Sequence, residues 1–499
     1  FMEGMIMSPT RIPAVSIMAV FLSACFCVVP GQAQHGLSEM DQLKQEIQKL
    51  KTAFRQELEE KERRIEALEK QLKELQDKGQ EKSAAASAAS ELDKALQEAK
   101  AASPQTPRTD SGDIFSKQIG GATLRLMDIS LDGLFAVGTS TERDESLQSL
   151  QGGGHDPRKR GFTIQNVELS FAGAVDPYFN AEAHILYVLD PLTGESIVEL
   201  EEAFLTTQSL PFGLQFKGGH YLTEFGLINP THPHAWHWLD QPIINTRLFG
   251  PDGMRAPGGR IGWLIPVPWF SELYLGVQNA NGETMASFLA NEEFFEERPI
   301  GGLAFSGREV RSLGDLLYSG RLENAWDLGK EWTVKWGLSA AHGPNASGLS
   351  GETWIYGTDL KVKWRPAKNE RGWPFLLWQS ELMGRDYRVD RTNPNFMTRH
   401  LRDWGFYTQV LYGFRPNWAG GLRYEYAGGS GDSLGHRNND PFRDNRHRIS
   451  PLLLWQITEF SRLRLQYNYD VAKHLSQDDA HSVWFGFEFM FGAHPAHKY

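Results

Sequence analysis

One segment of the chain gathers histidines, the side chains best suited to hold a transition metal near neutral pH. The neutral imidazole ring is a good ligand for zinc and copper. His232 and His234 are separated by a single proline, and His237 follows three residues later. No established zinc motif has this spacing, so local hydrogen bonding of the rings is the alternative. The residues that we predict as candidate metal ligands are His220, His232, His234 and His237, with Glu224 nearby.

A second set of polar residues recurs at every other position in the C-terminal part of the chain. For example, Leu463 and Leu465 alternate with Arg462 and Arg464. Successive side chains of a β-strand point to opposite faces, so this period of two places the charges on one face and the apolar residues on the other. The charged residues that the pattern places on the polar face, and that we predict to line a channel, are Lys361, Lys363, Arg423, Glu425, Arg462, Arg464, Asp470 and Glu488.

The strands that carry these faces are long, and their apolar face is rich in aromatic residues. The chain holds 15 Trp, 29 Phe and 14 Tyr. Strands of about ten residues are long enough to cross a bilayer at a tilt. A soluble β-sandwich also alternates, but here short and long connectors alternate as well, which is typical of membrane barrels. We therefore predict an all-β, antiparallel membrane barrel of about 16 strands over residues 113–499, closed because an open edge in lipid would leave backbone groups unpaired.

Residues 1–33 are typical of a secretory signal peptide. Arg11 precedes an apolar run over residues 12–29, a proline ends the run, and small residues follow at the cleavage position. The sequence around Cys25 also resembles a lipoprotein cleavage box, and an uncleaved anchor helix is a further alternative. Both cysteines, Cys25 and Cys27, lie in this segment. A mature chain would therefore offer no disulfide, thiol catalyst or cysteine-bound zinc.

Residues 38–80 have the pattern of a periplasmic coiled coil. Leu43, Ile47 and Leu50 step by 4 and 3 among Lys, Glu, Gln and Arg, which is the spacing of a heptad seam. A single charged helix in solvent is the alternative, but an isolated helix of this kind is only marginally stable. Residues 81–112 are predicted to be an Ala-rich helix followed by a linker.

The connector between the fifth and sixth predicted strands, residues 222–257, is long and rich in Pro, His, Trp and Asn. A long loop of apolar and aromatic residues is more easily buried in a lumen than left in water. We predict that this connector folds into the barrel and narrows it.

The order of signal peptide, coiled coil and barrel resembles the phosphate-selective porin O/P family. The stretch from Arg160-Gly161-Phe162 through Glu201-Glu202-Ala203-Phe204 to residues 212–220 also resembles this family. The resemblance implies trimeric passive channels of the outer membrane, some of them anion-selective through a row of arginines in the lumen. This chain is acidic, with a formal net charge of −11, and its arginines do not match such a row position by position.

Three functions fit these observations. The first is a porin, through which small hydrophilic solutes or ions diffuse across the outer membrane of a Gram-negative bacterium. The second is a receptor or transporter for a metal or chelate, which only the histidine-rich connector favours. The third is a tether whose coiled coil contacts peptidoglycan. We predict a homotrimer in outer-membrane lipid without a cofactor. An enzyme is disfavoured because the chain has no His-Glu-x-x-His motif, and nucleic acid because it has no basic patch.

Overall fold

The structure is a computed structural model that describes residues 116–119, 122–125, 127–190, 193–431, 440–475 and 477–492. The predicted signal peptide (1–33), coiled coil (38–80) and Ala-rich helix with linker (81–112) lie outside the described residues, so these assignments stay predictions.

Sixteen antiparallel strands form one closed barrel, which confirms the predicted fold class and strand number. A hairpin of β1 (Ser116–Ile119) and β2 (Ala122–Arg125) precedes it. Each barrel strand pairs with its sequence neighbours, and the last strand pairs with the first to close the wall. The barrel strands are β3 (Asp128–Ser140), β4 (Gly161–Ala174), β5 (Phe179–Leu189), β6 (Ser196–Thr207), β7 (Leu214–Leu222), β8 (Arg255–Leu264), β9 (Phe270–Asn279), β10 (Leu316–Leu328), β11 (Trp332–Pro344), β12 (Glu352–Trp364), β13 (Phe375–Arg388), β14 (His400–Arg415), β15 (Trp418–Ser430), β16 (Arg446–Thr458), β17 (Ser461–Ala472) and β18 (Asp479–Gly492).

The period of two in the sequence gives the wall two different faces. In β17, Leu465 points outward and is 47% exposed, whereas the neighbouring Arg464 points into the lumen and is 1% exposed. An apolar outer face and a polar inner face are what a membrane barrel requires, because lipid meets one face and water or protein meets the other. Large exposed residues of the outer face include Tyr356, Trp378, Trp404, Leu422 and Phe485.

Short and long connectors alternate around the barrel and therefore lie at opposite ends of it. Gly329–Glu331 joins β10 to β11 at the short-turn end. The long-connector end carries three short helices, α1 (Asp144–Leu150), α2 (Ile243–Phe249) and α3 (Glu292–Glu297). Among the described residues, no helix has both the length and the apolar character needed to cross a membrane.

The connector between β7 and β8, residues 223–254, lies inside the lumen. It joins the fifth and sixth barrel strands, as the sequence predicts. All seven residues of α2 are buried. Phe225 and Phe249 of the connector belong to one apolar cluster with Ile355 and Tyr407 of the opposite wall. Burial of one such large side chain contributes about 1.5–3 kcal/mol, so this packing fixes the connector in place.

Candidate functional site in the barrel lumen

A carboxylate of β13 holds the first part of the lumen connector. Glu381 Oε1 accepts hydrogen bonds from the backbone N–H groups of Leu227 and Ile228, the latter at 3.0 Å. The Glu381 side chain is almost fully buried. A buried carboxylate that accepts backbone N–H groups makes charge-assisted bonds, which are stronger than neutral ones. The connector is therefore attached to the wall by its backbone as well as by apolar contact.

Asp240, further along the connector, is held by what we call the arginine clamp. Its carboxylate is paired with Arg423 of β15 and lies 3.0 Å from Arg448 of β16. It also accepts hydrogen bonds at 2.8 Å from the side-chain amides of Gln466 and Asn468. Burial opposes ionisation of Asp240, but the two guanidinium groups outweigh it and hold the pKa of this carboxyl well below its usual range.

Ion pairs continue along the wall around the clamp, centred on Asp470 and on Glu488. Asp470 pairs with Arg446 at 2.7 Å and with Arg448 at 2.8 Å. Glu488 pairs with Arg462 and with Arg464, each at 2.7 Å. Arg462 also donates to the backbone carbonyl of His234 at 2.5 Å in the connector. These side chains therefore serve the packing of the connector as well as facing the lumen.

The residues predicted to line a channel fall into two groups in the structure. Two of them, Lys361 and Lys363 of β12, are half-buried. Lys361 lies opposite Lys335 of β11 in the sheet, and Lys335 is 27% exposed beside Glu323. The other six are buried and contact the connector or one another, namely Arg423, Glu425, Arg462, Arg464, Asp470 and Glu488.

A different set of polar residues surrounds the histidines of the connector. His232 Nδ1 lies 2.8 Å from Glu201 Oε2, and His232 Nε2 lies 2.8 Å from Glu202 Oε2. His234 Nδ1 lies 3.2 Å from Glu168 Oε2 and 3.4 Å from Asp132 Oδ2. The histidine–carboxylate cluster is the set Asp132, Glu168, His184, Glu201, Glu202, His232 and His234.

Carboxylates around His232 and His234 favour the protonated imidazoles more strongly than burial disfavours them. Burial disfavours the charged imidazole, but the carboxylates of Glu168 and Asp132 outweigh it and raise the pKa of His234 to about 9. For His232, burial is outweighed by Glu168 and Glu201, and the pKa lies well above its usual value. A positive charge, carried by protons or by a cation, is therefore favoured here.

The structure brings together only two of the four histidines that the sequence suggests as ligands. His232 and His234 each lie in a group of three side chains whose ligand atoms are within 4.8 Å of one another, whereas His220 and His237 lie in neither group. His220 is on β7 opposite Ala203. Burial and then the cations Arg462 and Lys361 lower the pKa of His237 to about 3, which places it in a basic environment. Glu224 pairs with Arg260 and lies 3.9 Å from Lys217.

Sequence reasoning missed the wall residues of the cluster. Glu168 on β4 and His184 on β5 come together because Ser170 is the sheet partner of His184. Glu202 on β6 is the direct sheet partner of His184. The signal was present as polar residues at inward positions of adjacent strands, but only the register of the sheet decides which of them meet.

One further motif occurs in a connector. Residues 431–435 read Gly-Asp-Ser-Leu-Gly and match the Gly-x-Ser-x-Gly pattern of hydrolases. That pattern serves catalysis on a sharp turn from a strand into a helix. Residues 432–439 lie outside the described residues, so the structure gives no geometry for this serine.

Comparison with known proteins gives one relative in sequence. No family model matches the chain, so membership of the phosphate-selective porin O/P family stays a prediction. The chain is 30% identical to an uncharacterized protein of Aquifex aeolicus (strain VF5) over 408 residues, which are 75% of this chain and 80% of that protein.

Comparison with solved structures gives outer-membrane proteins. The chain is similar to the outer membrane channel DcaP of Acinetobacter baumannii, with a TM-score of 0.44, 10% identity, and coverage of 73% of this chain and 96% of that chain. It is similar to an anion-selective porin from Comamonas acidovorans, with a TM-score of 0.42, 12% identity, and coverage of 73% and 100%. It is also similar to OmpT, an outer membrane protein of Vibrio cholerae, with a TM-score of 0.43, 8% identity, and coverage of 73% and 97%.

Proposed function

We propose that this chain, which belongs to one family with the uncharacterized protein of Aquifex aeolicus, is a porin-type channel. It would carry small hydrophilic solutes or ions across an outer membrane. The observation that carries this proposal is the division of a closed 16-strand wall into an apolar outer face and a charged inner face. Such a wall places backbone pairing and polar groups where lipid cannot reach them.

The lumen connector, residues 223–254, is proposed to narrow the passage rather than to open it. What supports this role is the burial of α2 and of Asp240 against β13 to β17. Lumen-facing side chains of those strands are almost all buried. A permeating solute is therefore directed to the inner-face side chains that the connector leaves in contact with solvent.

Three lysines of the inner face keep such contact with solvent. Lys335, Lys361 and Lys363 lie on the inner faces of β11 and β12 and remain half-buried. Positive side chains at a constriction favour anions by lowering their electrostatic barrier. We propose that small anions pass these lysines more easily than cations do.

The predicted assembly is part of the same proposal. A homotrimer in outer-membrane lipid would cover part of the apolar outer face of each barrel, and the coiled coil of residues 38–80 would remain available to contact peptidoglycan. Chemical cross-linking of the purified protein, with and without residues 38–80, tests the trimer, and co-sedimentation of the same two proteins with peptidoglycan tests the contact of the coiled coil. Trimers that persist without the coiled coil would assign trimer formation to the barrel.

The channel is tested by planar-bilayer recording of the purified mature protein in asymmetric salt. We expect discrete conductance steps and a reversal potential of the sign that anion preference requires. The double variant Lys361→Gln with Lys363→Gln should shift the reversal potential toward cation preference, because it removes two positive charges from the inner face.

The matched control removes the same charge elsewhere. Lys330→Gln with Lys368→Gln neutralises two exposed lysines of the short-turn end and should change the reversal potential less. No conductance from correctly folded oligomers would contradict the channel. Equal shifts for the two double variants would contradict the proposed route.

A further inference from the structure

The histidine–carboxylate cluster has features that a passive channel does not require. We propose that Asp132, Glu168 and His234 bind one first-row divalent cation, of which Zn²⁺ is the representative. The three residues come from β3, from β4 and from the lumen connector. The site is independent of the proposed channel, because a barrel without conductance could still bind the cation.

The distances between the ligand atoms suit coordination. His234 Nδ1 lies 3.2 Å from Glu168 Oε2 and 3.4 Å from Asp132 Oδ2. Ligands at about 2.0–2.2 Å from a tetrahedral zinc ion lie about 3.3–3.6 Å from one another. The two measured separations are close to edges of one such tetrahedron. One ligand atom from each of the three residues lies within 4.8 Å of the other two.

The carboxylate oxygens at this point are not satisfied by hydrogen bonds. Among the described residues, no donor is aligned for a hydrogen bond to either oxygen of Asp132 or to Oε2 of Glu168, although imidazole nitrogens lie 3.2–3.4 Å away. Asp132 is 2% exposed and Glu168 is 0% exposed. Leaving buried carboxylate oxygens without donors costs free energy. A cation coordinated by the same oxygens would remove that cost. By this criterion the cluster is a binding site rather than a completed ion-pair network.

Contacts with neighbouring side chains fix the orientation of the Glu168 carboxylate. Its other oxygen, Oε1, accepts a hydrogen bond from Ser170 Oγ at 2.7 Å and lies 2.9 Å from His184 Nδ1. Outer contacts of this kind fix the orientation of metal-binding carboxylates. His232 Nδ1 lies 3.4 Å from Oε2, so a second imidazole stands beside the site. A mixed imidazole and carboxylate set suits zinc and its first-row neighbours better than Ca²⁺ or Cu⁺.

A bound cation would join the connector to the wall. His234 belongs to the connector, whereas Asp132 and Glu168 belong to strands of the sheet. Any ligand that binds only the folded state stabilises it by mass action. We therefore expect the thermal unfolding temperature of the protein to rise with added Zn²⁺ and to fall after treatment with a chelator.

The experiment measures zinc bound to the purified full chain after removal of metal by a chelator. We expect wild-type protein to bind one Zn²⁺ per chain more than Glu168→Gln, as measured by isothermal titration and by elemental analysis. Asp132→Asn should lose the same site. His237→Gln is the matched control, because it changes a histidine of the same connector that lies outside the cluster, and it should keep the site.

The outcomes separate the cation from its competitor, which is a proton held by His234 between the two carboxylates. Equal zinc binding by wild-type protein and Glu168→Gln would overturn the proposal and leave the proton as the occupant. Loss of zinc in His184→Gln but not in Asp132→Asn would also overturn it, because the ligands would then be the other group. If the variants fail to fold, anomalous scattering at the zinc edge from wild-type crystals decides. A peak between Asp132, Glu168 and His234 supports the site, and its absence overturns it.

Discussion

Two charged regions hold the same connector on different sides of the lumen. They differ in how completely their buried carboxylate oxygens are hydrogen-bonded. In the arginine clamp, Asp240 is surrounded by two guanidinium groups and three side-chain amides, those of Gln151, Gln466 and Asn468. In the histidine–carboxylate cluster, Asp132 and Glu168 keep buried oxygens that accept no hydrogen bond among the described residues. Both regions are buried, so the difference lies in donors and not in exposure.

The difference shows how buried charge can be used in two ways. A carboxylate whose lone pairs all meet donors from the protein is part of the folded framework, because removing it leaves the donors unsatisfied. A carboxylate whose lone pairs face other carboxylates and imidazoles has capacity left for a ligand. The clamp is therefore interpreted as structural, and the cluster as the place where something else is bound.

The largest effect is expected from breaking the clamp. Asp240→Ala removes the shared partner of Arg423 and Arg448 and should lower the free energy of unfolding by about 3–5 kcal/mol, the usual cost of removing one member of a buried ion pair. Because the connector loses this attachment, we also expect larger single-channel conductance. Urea unfolding in lipid vesicles and bilayer recording measure the two effects.

The control for this variant is Asp327→Ala, which removes an exposed carboxylate at the short-turn end of β10. It should change the free energy of unfolding by less than about 1 kcal/mol, as exposed charges usually do. If the two variants were equally destabilising, Asp240 would not be the attachment point that its contacts indicate.

A smaller effect is expected from pH, through the carboxylate beside the clamp. Asp156 accepts hydrogen bonds from the backbone N–H groups of Gly153 and Gln241, each at 2.8 Å. Burial, and then repulsion from Asp240, raise the pKa of Asp156 to about 7. The folded state thus binds this proton more tightly than the unfolded chain does.

Because of this difference in proton affinity, the free energy of unfolding falls as the pH rises. Asp156 destabilises the fold increasingly as the pH rises from its unfolded pKa toward about 7, and by a constant amount above that. We expect its contribution to the free energy of unfolding to fall by about 1–3 kcal/mol between about pH 5 and about pH 8. Asp156→Asn should flatten this part of the profile. An unchanged slope in the variant would assign the pH dependence to other groups.

The smallest effect is expected from the cluster when no metal is present. Asp132→Asn, measured with a chelator, should change the free energy of unfolding by less than about 1 kcal/mol, because the carboxylate that it replaces accepts no aligned hydrogen bond and His234 keeps Glu168 as its partner. Urea unfolding under the same conditions as for Asp240→Ala gives the direct comparison. A loss as large as that of Asp240→Ala would mean that the cluster is as complete as the clamp.

Much of the barrel could be predicted because its pattern is local. The alternation of Leu463 and Leu465 with Arg462 and Arg464 depends only on the strand period of two, and it recurs in the structure as exposed and buried positions. The apolar and aromatic composition of residues 222–257 likewise predicts a connector that folds inward. The partners of Asp240 could not be predicted, because they lie on three strands and at the end of α1, all far from it in sequence.

The sequence by itself determined a barrel with an apolar outside and a charged inside, because every other side chain of a strand must face the same way. Only the tertiary structure decided which inward charges meet. The closure of the wall and the register of its strands bring Asp132, Glu168 and His184 to one side of the lumen, and the folded connector brings His232 and His234 to them. Histidines that are neighbours in the chain, such as His234 and His237, were separated because a connector without a regular period can turn each side chain toward a different wall.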